Sequence, residues 1–505
     1  MSDQESAKTE TYPKSLDAFP TVAIGMGWLT FGQLFKHIWE FIVGIILARL
    51  LLPEEFGVFA IAGVIYAFVS ILAYFNIPVV FIQRKYVSLR QIPVIQTLSS
   101  GLGVMAWLSC IAIGPTIASF YNVPDIFQIL SVLGFTFFVG SFSHIATGLL
   151  TRNFRFKEIS LIEAIVSIVY GIISIYFAFT GYGVWAFVWG ITISSLIGSV
   201  SLCICAEYFP RFRWHYRYAS GIMRFAGSLS IASIINQLSR NIDYLIIGKV
   251  LGPASLGLYK RAYDLATLPK DKVNDIVARI MLPILTKVRD NEVEFEKTVQ
   301  KTNKLIACLC FPILIGMIAT AKELILSLYG YNWTGSVIPL KIMAIGGIAY
   351  SLTAIWGTFL LTKKKTRDIL AIQVVSLISI ALGIVVGIFY GLEGVAMGVC
   401  VAIVITAIVT GMKAFRPMNY NFPKLWKAVK PAFISSIVMY FALTIMDSRL
   451  AKIENIILTL FLKVGVGAIV YITLLVFQLR HDDDIAFISR YVNAKFRWIF
   501  SLNRR

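Results

Sequence analysis

The sequence predicts an all-α polytopic membrane protein, and three observations carry that prediction. Hydrophobic residues make up 58% of the chain and the mean hydropathy is +0.77, too apolar for a soluble domain of 505 residues. Those residues come in runs of spanning length. Basic residues collect in alternate connections between the runs, as the positive-inside bias requires. About fourteen apolar segments follow one another, beginning near Thr21, Phe56, Ile92, Asp125, Ile159, Val184, Ile222, Ser255, Asn303, Gly335, Ile369, Leu392, Ala428 and Asn455.

In chain order, residues 1–20 are polar and carry no apolar core with a small-residue cleavage site, so they read as a cytoplasmic N-terminal segment rather than a removed signal peptide. Residues 21–207 hold helices 1–6, the N-lobe. A basic cytoplasmic linker follows at 208–221, then helices 7–12 at 222–415, the C-lobe. Helices 13–14 occupy 428–479 and a cytoplasmic tail fills 480–505. The basic connections are RKYVSLR (Arg84 to Arg90), RNFRFK (Arg152 to Lys157), RFRWHYR (Arg211 to Arg217), KKKTR (Lys363 to Arg367), the Lys413 to Lys430 loop and the tail after Arg480. Intervening connections such as TGYG, Thr180 to Gly183, are short and nearly neutral. The alternation places both termini in the cytoplasm, and the mixed-sign loop Lys287 to Asn303 is cytoplasmic in the same count. The net charge of +19 is spread over many loops rather than gathered on one face, which removes the main support for nucleic-acid binding. Cys110, Cys203, Cys205, Cys308, Cys310 and Cys400 all lie in apolar runs and read as small hydrophobes, not metal ligands.

ARLLLPEEFGVF (Ala48 to Phe59) aligns with GKVLGPASLGLY (Gly248 to Tyr259) at an offset of 200, matching Pro53 with Pro253 and Gly57 with Gly257. Each segment joins the first and second helix of a six-helix unit. Six is even, so the repeat is parallel, and in transporters the substrate path lies between such halves. The same register places Leu268 to Lys272 opposite Phe68 to Leu72, mid-span in the apolar second helix. Yet LATLPKDKVNDIVARIMLPIL (Leu265 to Leu285) contains Lys270, Asp271, Lys272, Asp275 and Arg279. Each such charge near the bilayer centre costs about 2.5 to 3.5 kcal/mol on insertion scales.

Those charges cannot face lipid. On a helix Asp264, Thr267, Asp271 and Asn274 share one face, and Asp275 with Arg279 forms an i,i+4 pair beside it. Helix one carries Gln33, Lys36, His37 and Glu40, and helix seven carries Asn236, Gln237, Arg240 and Asp243. The expectation is that helices one, seven and eight wall an aqueous chamber between the halves. Plainer readings stand beside it. The eighth segment is re-entrant or interfacial and interrupted at Pro269, and the pairs Asp275 with Arg279 and Glu40 with Arg240 only fix helix packing. His37 reads as a satisfied interior histidine. Glu163, Lys341 and Lys463 are single charges in apolar segments, the two lysines explained by snorkelling near helix ends. Arg49 and Lys249 end their helices on the non-cytoplasmic side, as a gate or as interfacial anchors. HDDD, His481 to Asp484, reads as a solvated acidic turn.

ILARLLLPEEFGVFAIAGVI (Ile46 to Ile65), GKVLGPASLGLYKRAYDLATLP (Gly248 to Pro269) and LYGYNWTGSVIPLKIMAIGG (Leu328 to Gly347) resemble the recurring motifs of bacterial polysaccharide exporters. These belong to the multidrug/oligosaccharidyl-lipid/polysaccharide superfamily, which contains the Wzx-type flippases. The resemblance runs from about Gly25 to about Ala414. It implies an integral inner-membrane flippase that moves an undecaprenyl-diphosphate-linked oligosaccharide to the periplasmic leaflet by alternating access. It also implies a cationic cavity, no catalytic residue, and polysaccharide polymerase machinery as a partner beside membrane lipids. Lys36, Arg240, Lys270, Lys272 and Arg279, with Asn236 and Gln237, are the substrate-binding expectation, because a diphosphate moved through low dielectric needs fixed positive charge. Arg261 and Pro269 match the family motif, whereas KDKVND after the proline is more charged than its pattern.

Asp243, Asp264, Asp271, Asp275 and Glu40 are the ion-coupling expectation, for a proton or sodium ion, with no cofactor or metal. A groove for the polyprenyl tail near helices 13–14 follows from the resemblance alone. Two alternatives remain. A multidrug or cation antiporter of the same superfamily should present acidic groups to its chamber. A membrane-embedded glycosyltransferase or polymerase needs a carboxylate-bearing loop domain that the short non-cytoplasmic connections do not hold.

Overall fold

The computed structural model describes residues 18–74, 91–416, 420–450 and 455–479. The Arg84 to Arg90 connection, the first residues of the N-terminal segment and the tail with His481 to Asp484 lie outside them. Among the described residues the secondary structure is sixteen α-helices and two short 3-10 turns, with no strand. The chain divides into two compact units, 1–260 and 261–505.

The first unit holds α1 (Ala18–Leu50), α2 (Pro53–Tyr74), α3 (Ile92–Tyr121), α4 (Asp125–Arg152), α5 (Phe156–Phe179), α6 (Trp185–Cys205) and α7 (Tyr216–Val250). It also holds the start of α8 (Gly252–Lys287). Local chemistry ends these helices where the sequence turns polar. Asn122 closes α3 in the left-handed region at φ 57°, and Gly181 and Gly183 take positive φ in the TGYG turn between α5 and α6. The Glu55 carboxylate accepts the Leu52 amide at 2.7 Å and caps the α2 start. Aromatic stacking fills the interior, with Phe59 on Phe187 at 4.5 Å and Tyr66 on Phe137 at 4.3 Å between ring centroids.

The matched segments of the sequence meet here. The starts of α2 and α8 cross so closely that a methyl group at Gly57 would overlap the Pro253 carbonyl, and one at Gly257 would overlap the Pro53 carbonyl. Each glycine therefore admits the other segment's proline.

The second unit continues α8 and adds α9 (Glu292–Ala319), α10 (Ala321–Leu328), α11 (Val337–Ser351), α12 (Thr353–Thr362), α13 (Thr366–Gly387), α14 (Gly391–Phe415), α15 (Phe422–Leu450) and α16 (Ile456–Leu479). Its core runs through Phe295, Phe311, Leu314, Trp356 and Phe359, with α15 packed along α9. A 3-10 turn, Ile388–Tyr390, joins α13 to α14, and these two touch through Gly383 on Gly398 and Gly387 on Gly394, backbone against backbone.

Eleven stretches among the described residues are long and apolar enough to cross a membrane, one of them the 50-residue Thr366–Phe415 that contains α13 and α14. The protein is a multi-pass membrane protein. Neither α7 nor α8 is among the eleven, because their charges lower the hydropathy. α8 is continuous through Pro269 and Pro283, so the charged stretch belongs to one helix rather than to a segment broken at Pro269.

Candidate functional site

Lys36 and Glu40 of α1 line a cavity of about 300 Å³ with Glu163 and Tyr170 of α5. Hydroxyls of Ser143, Ser167, Ser194, Ser195 and Ser199, from α4, α5 and α6, line the same space. The Gln33 side-chain amide donates to Glu163 Oε2 at 2.9 Å, and His37 Nδ1 lies 3.7 Å from Glu40 with both side chains exposed. Glu163 is thus no isolated charge. It meets the helix-one stripe across the α1–α5 interface, where the Trp39 indole donates to the Ser167 carbonyl at 2.8 Å and holds the register. A cation, two carboxylates and a row of serines suit a ligand rich in hydroxyl groups.

The helix-seven stripe divides. Arg240 is exposed and Gln237 half-buried, while Asp243 is 5% exposed. Asp243 Oδ2 accepts the Tyr259 hydroxyl at 2.9 Å, and Oδ1 accepts the Tyr244 amide at 3.0 Å. The side chain of Asn236 lies outside the described residues. At the helix ends Arg49 is exposed, and the Lys249 ammonium donates to the Phe120 carbonyl while lying 4.6 Å over the Phe120 ring. Lys249 thereby ties α7 to α3.

On α8 the charges separate by depth. Lys270 is 5% exposed, its ammonium 3.7 Å from the centroid of the Tyr350 ring on α11 and 3.5 Å from Asp271 Oδ1. Asp271 and Lys272 are exposed, Asp264 half-buried, and Arg261 lies 5.5 Å from the Tyr329 ring centroid. Asn274 is buried, and its Oδ1 has no partner among the described residues. The Asp264, Thr267, Asp271 and Asn274 face is therefore graded from half-buried through exposed to buried. The side chains of Asp275 and Arg279 lie outside the described residues.

His37 is exposed rather than interior, and the expectation for one lysine is corrected as well. Lys463 does not snorkel: it is 1% exposed, with its ammonium 2.6 Å from Glu323 Oε1 of α10 and paired also with Asp447 of α15. An interior ammonium is tolerable only with such partners, and α16 turns this lysine inward between the two carboxylates. Sequence reading also missed a buried polar knot in the first unit. There the Gln96 amide donates to Ser100 at 2.8 Å and its carbonyl accepts the Tyr208 hydroxyl at 3.1 Å, while Ser99 lies 3.2 Å from His144 Nδ1. Burial pushes the Tyr208 hydroxyl up to about 12, which keeps it a donor. The signal for it was a cluster of polar residues, Gln96, Thr97, Ser99 and Ser100, near the start of an otherwise apolar helix.

Against known proteins, the chain is 25% identical over 330 residues to the lipopolysaccharide biosynthesis protein WzxC of Escherichia coli (strain K12), covering 63% of this chain and 65% of the relative. It is 29% identical over 292 residues to the teichuronic acid biosynthesis protein TuaB of Bacillus subtilis (strain 168), covering 56% and 59%. The chain thus matches less than two thirds of the length of either relative. The solved lipid II flippase MurJ, in an inward closed conformation, superposes with a TM-score of 0.73 at 14% identity, covering 90% of this chain and 98% of that one. This likeness shows the fold. A profile described as polysaccharide biosynthesis protein matches residues 46–338. That stretch is more than half of the 505 residues, and the chain belongs to this family.

Proposed function

We propose that the protein is a transporter, not an enzyme, and that it flips a lipid-linked saccharide repeat unit across the bacterial inner membrane by alternating access of two six-helix lobes, both termini cytoplasmic. The observation that carries this reading is Lys270, a cation kept inside the second unit beside Tyr350, on a helix that also exposes Asp271 and Lys272. An undecaprenyl-diphosphate headgroup needs fixed positive charge at membrane depth, and a purely structural helix does not. Lys36, Arg240, Lys270, Lys272 and Arg279 supply that charge in this reading, with Asn236 and Gln237 as hydrogen-bonding side chains. The serine-lined cavity beside Lys36 suits saccharide hydroxyls.

Asp243, Asp264, Asp271, Asp275 and Glu40 are the positions for a coupled proton or sodium ion, and Arg49 and Lys249 for a gate. A polysaccharide polymerase is the natural acceptor of the product. The five cations Lys36, Arg240, Lys270, Lys272 and Arg279 among these positions disfavour a cation antiporter, which should present acidic groups alone. The test is reconstitution in proteoliposomes with a fluorescent undecaprenyl-diphosphate oligosaccharide, quenched from outside. Flipping that depends on protein and falls in Lys270→Ala supports the reading; equal leaflet exchange with and without protein overturns it.

A further inference from the structure

The Lys463 ion pairs border a second cavity, of about 500 Å³, in the second unit. It lies where α9 ends at Ala319, α15 ends at Leu450 and α16 begins at Ile456. The opposite ends of α9 and α15 carry basic connections and an ion pair of their own, Lys424 with Glu296 at 2.6 Å. The positive-inside bias assigns that basic end to the cytoplasm and the cavity to the far side.

Lys463 sits seven residues past the start of α16, about 10 Å below the cavity rim along the helix axis. It takes one oxygen from each carboxylate, Oε1 of Glu323 and Oδ1 of Asp447. Both residues also line the cavity, and each carboxylate has a second oxygen not used by Lys463 in these pairs. Two acceptor oxygens are thereby fixed in place without losing rotamer freedom on binding, the arrangement a pair of adjacent hydroxyl groups recognises. Lys322 and Lys341, both exposed, add cations to the same wall. With Lys463 counted, three cations face two carboxylates, so the cavity keeps net positive charge. Tyr331, 75% exposed, offers a ring, and Leu326, Leu450 and Ile456 add apolar lining.

We infer that this cavity is a saccharide-binding site on the side of the membrane away from the basic loops, and that it takes a sugar bearing adjacent hydroxyls and one acidic group. The carboxylates accept the hydroxyls, Lys322 and Lys341 hold the acid, and Tyr331 covers the ring face. The inference rests on the flippase reading, which brings a saccharide to that side, and it deepens that reading by giving the translocated sugar a place to dock on exit.

The test uses the full chain in lipid nanodiscs and a soluble glucuronate–N-acetylglucosamine disaccharide, read by saturation-transfer NMR and calorimetry. Wild type should bind. The double variant K322A/K341A, which leaves the buried ion pairs intact, should bind roughly ten-fold more weakly or worse. Lys341→Arg should retain binding, and Tyr331→Ala should lose saturation transfer to the ring protons. No binding to wild type, or equal binding by K322A/K341A, overturns the inference. The liposome flipping assay run beside it separates the two readings: flipping without disaccharide binding removes the exit site alone, and binding that falls in K322A/K341A without flipping removes the flippase while the saccharide site stands.

Discussion

α2 and α8 begin alike and end differently. Each opens with a proline and a glycine in the same register, and each glycine accepts the other segment's prolyl carbonyl, so the two helix starts are locked by one reciprocal contact. Beyond it α2 is a 22-residue span whose only charges, Glu54 and Glu55, lie in its first turn. α8 runs for 36 residues, about 54 Å against a hydrocarbon core of about 30 Å, and carries Lys270, Asp271 and Lys272. Packing fixes the crossing and tolerates almost no change. The segments that follow are free to differ, and the polar one carries the charges assigned to substrate in the proposed function.

Five substitutions break or sharpen that comparison. The largest effect belongs to the shared crossing: Gly57→Ala and Gly257→Ala should each cost more than about 4 kcal/mol, because the added methyl meets backbone that no rotamer change can clear. Both variants should be lost from the folded fraction in detergent-resistance and thermal-melt assays, and survival of either would mean the crossing is looser than described. Next comes Ser70, the register partner of Lys270 in α2. Ser70→Lys puts a charge into a helix with no built partner for it and should cost about 2.5 to 3.5 kcal/mol, read as reduced insertion.

The reciprocal change, Lys270→Ser, should leave folding nearly intact, because Asp271 is exposed and is not orphaned. Its effect should appear in transport, a fall of roughly ten-fold for one lost charge-assisted contact. A melt as damaged as that of S70K would make Lys270 a packing residue. The smallest effect is expected for Asp271→Asn, which should fold normally and lose only the dependence of transport on an ion gradient; unchanged gradient dependence removes Asp271 from the coupling.

Eleven spans among the described residues were legible because a bilayer demands long apolar runs, and the Pro53/Pro253 and Gly57/Gly257 match was legible as an echo in the sequence. That the matched residues touch was not, since similarity at a distance of 200 positions carries no information about contact. Lys36 and Glu40 were legible as polar positions on one helix face. Glu163, by contrast, acquires its meaning only from Gln33, 130 residues away. Lys463 misled for the same reason: its partners lie on two other helices, and a lysine eight positions into an apolar run looks the same whether it reaches for the interface or turns inward. The α8 charges were found as a stripe, but their sorting into buried Lys270 and exposed Asp271 depends on Tyr350, an aromatic with nothing in its local sequence to mark it.

The glycine contacts between α13 and α14 bear on biogenesis. Two helices joined by a three-residue turn and pressed together at Gly383 on Gly398 and Gly387 on Gly394 can satisfy their closest packing before α15 and α16 are made. Such a pair leaves the translocon as one helical hairpin. Mutations at these glycines should therefore be felt during insertion, as chains arrested with one arm outside the lipid, rather than later as a loosened bundle.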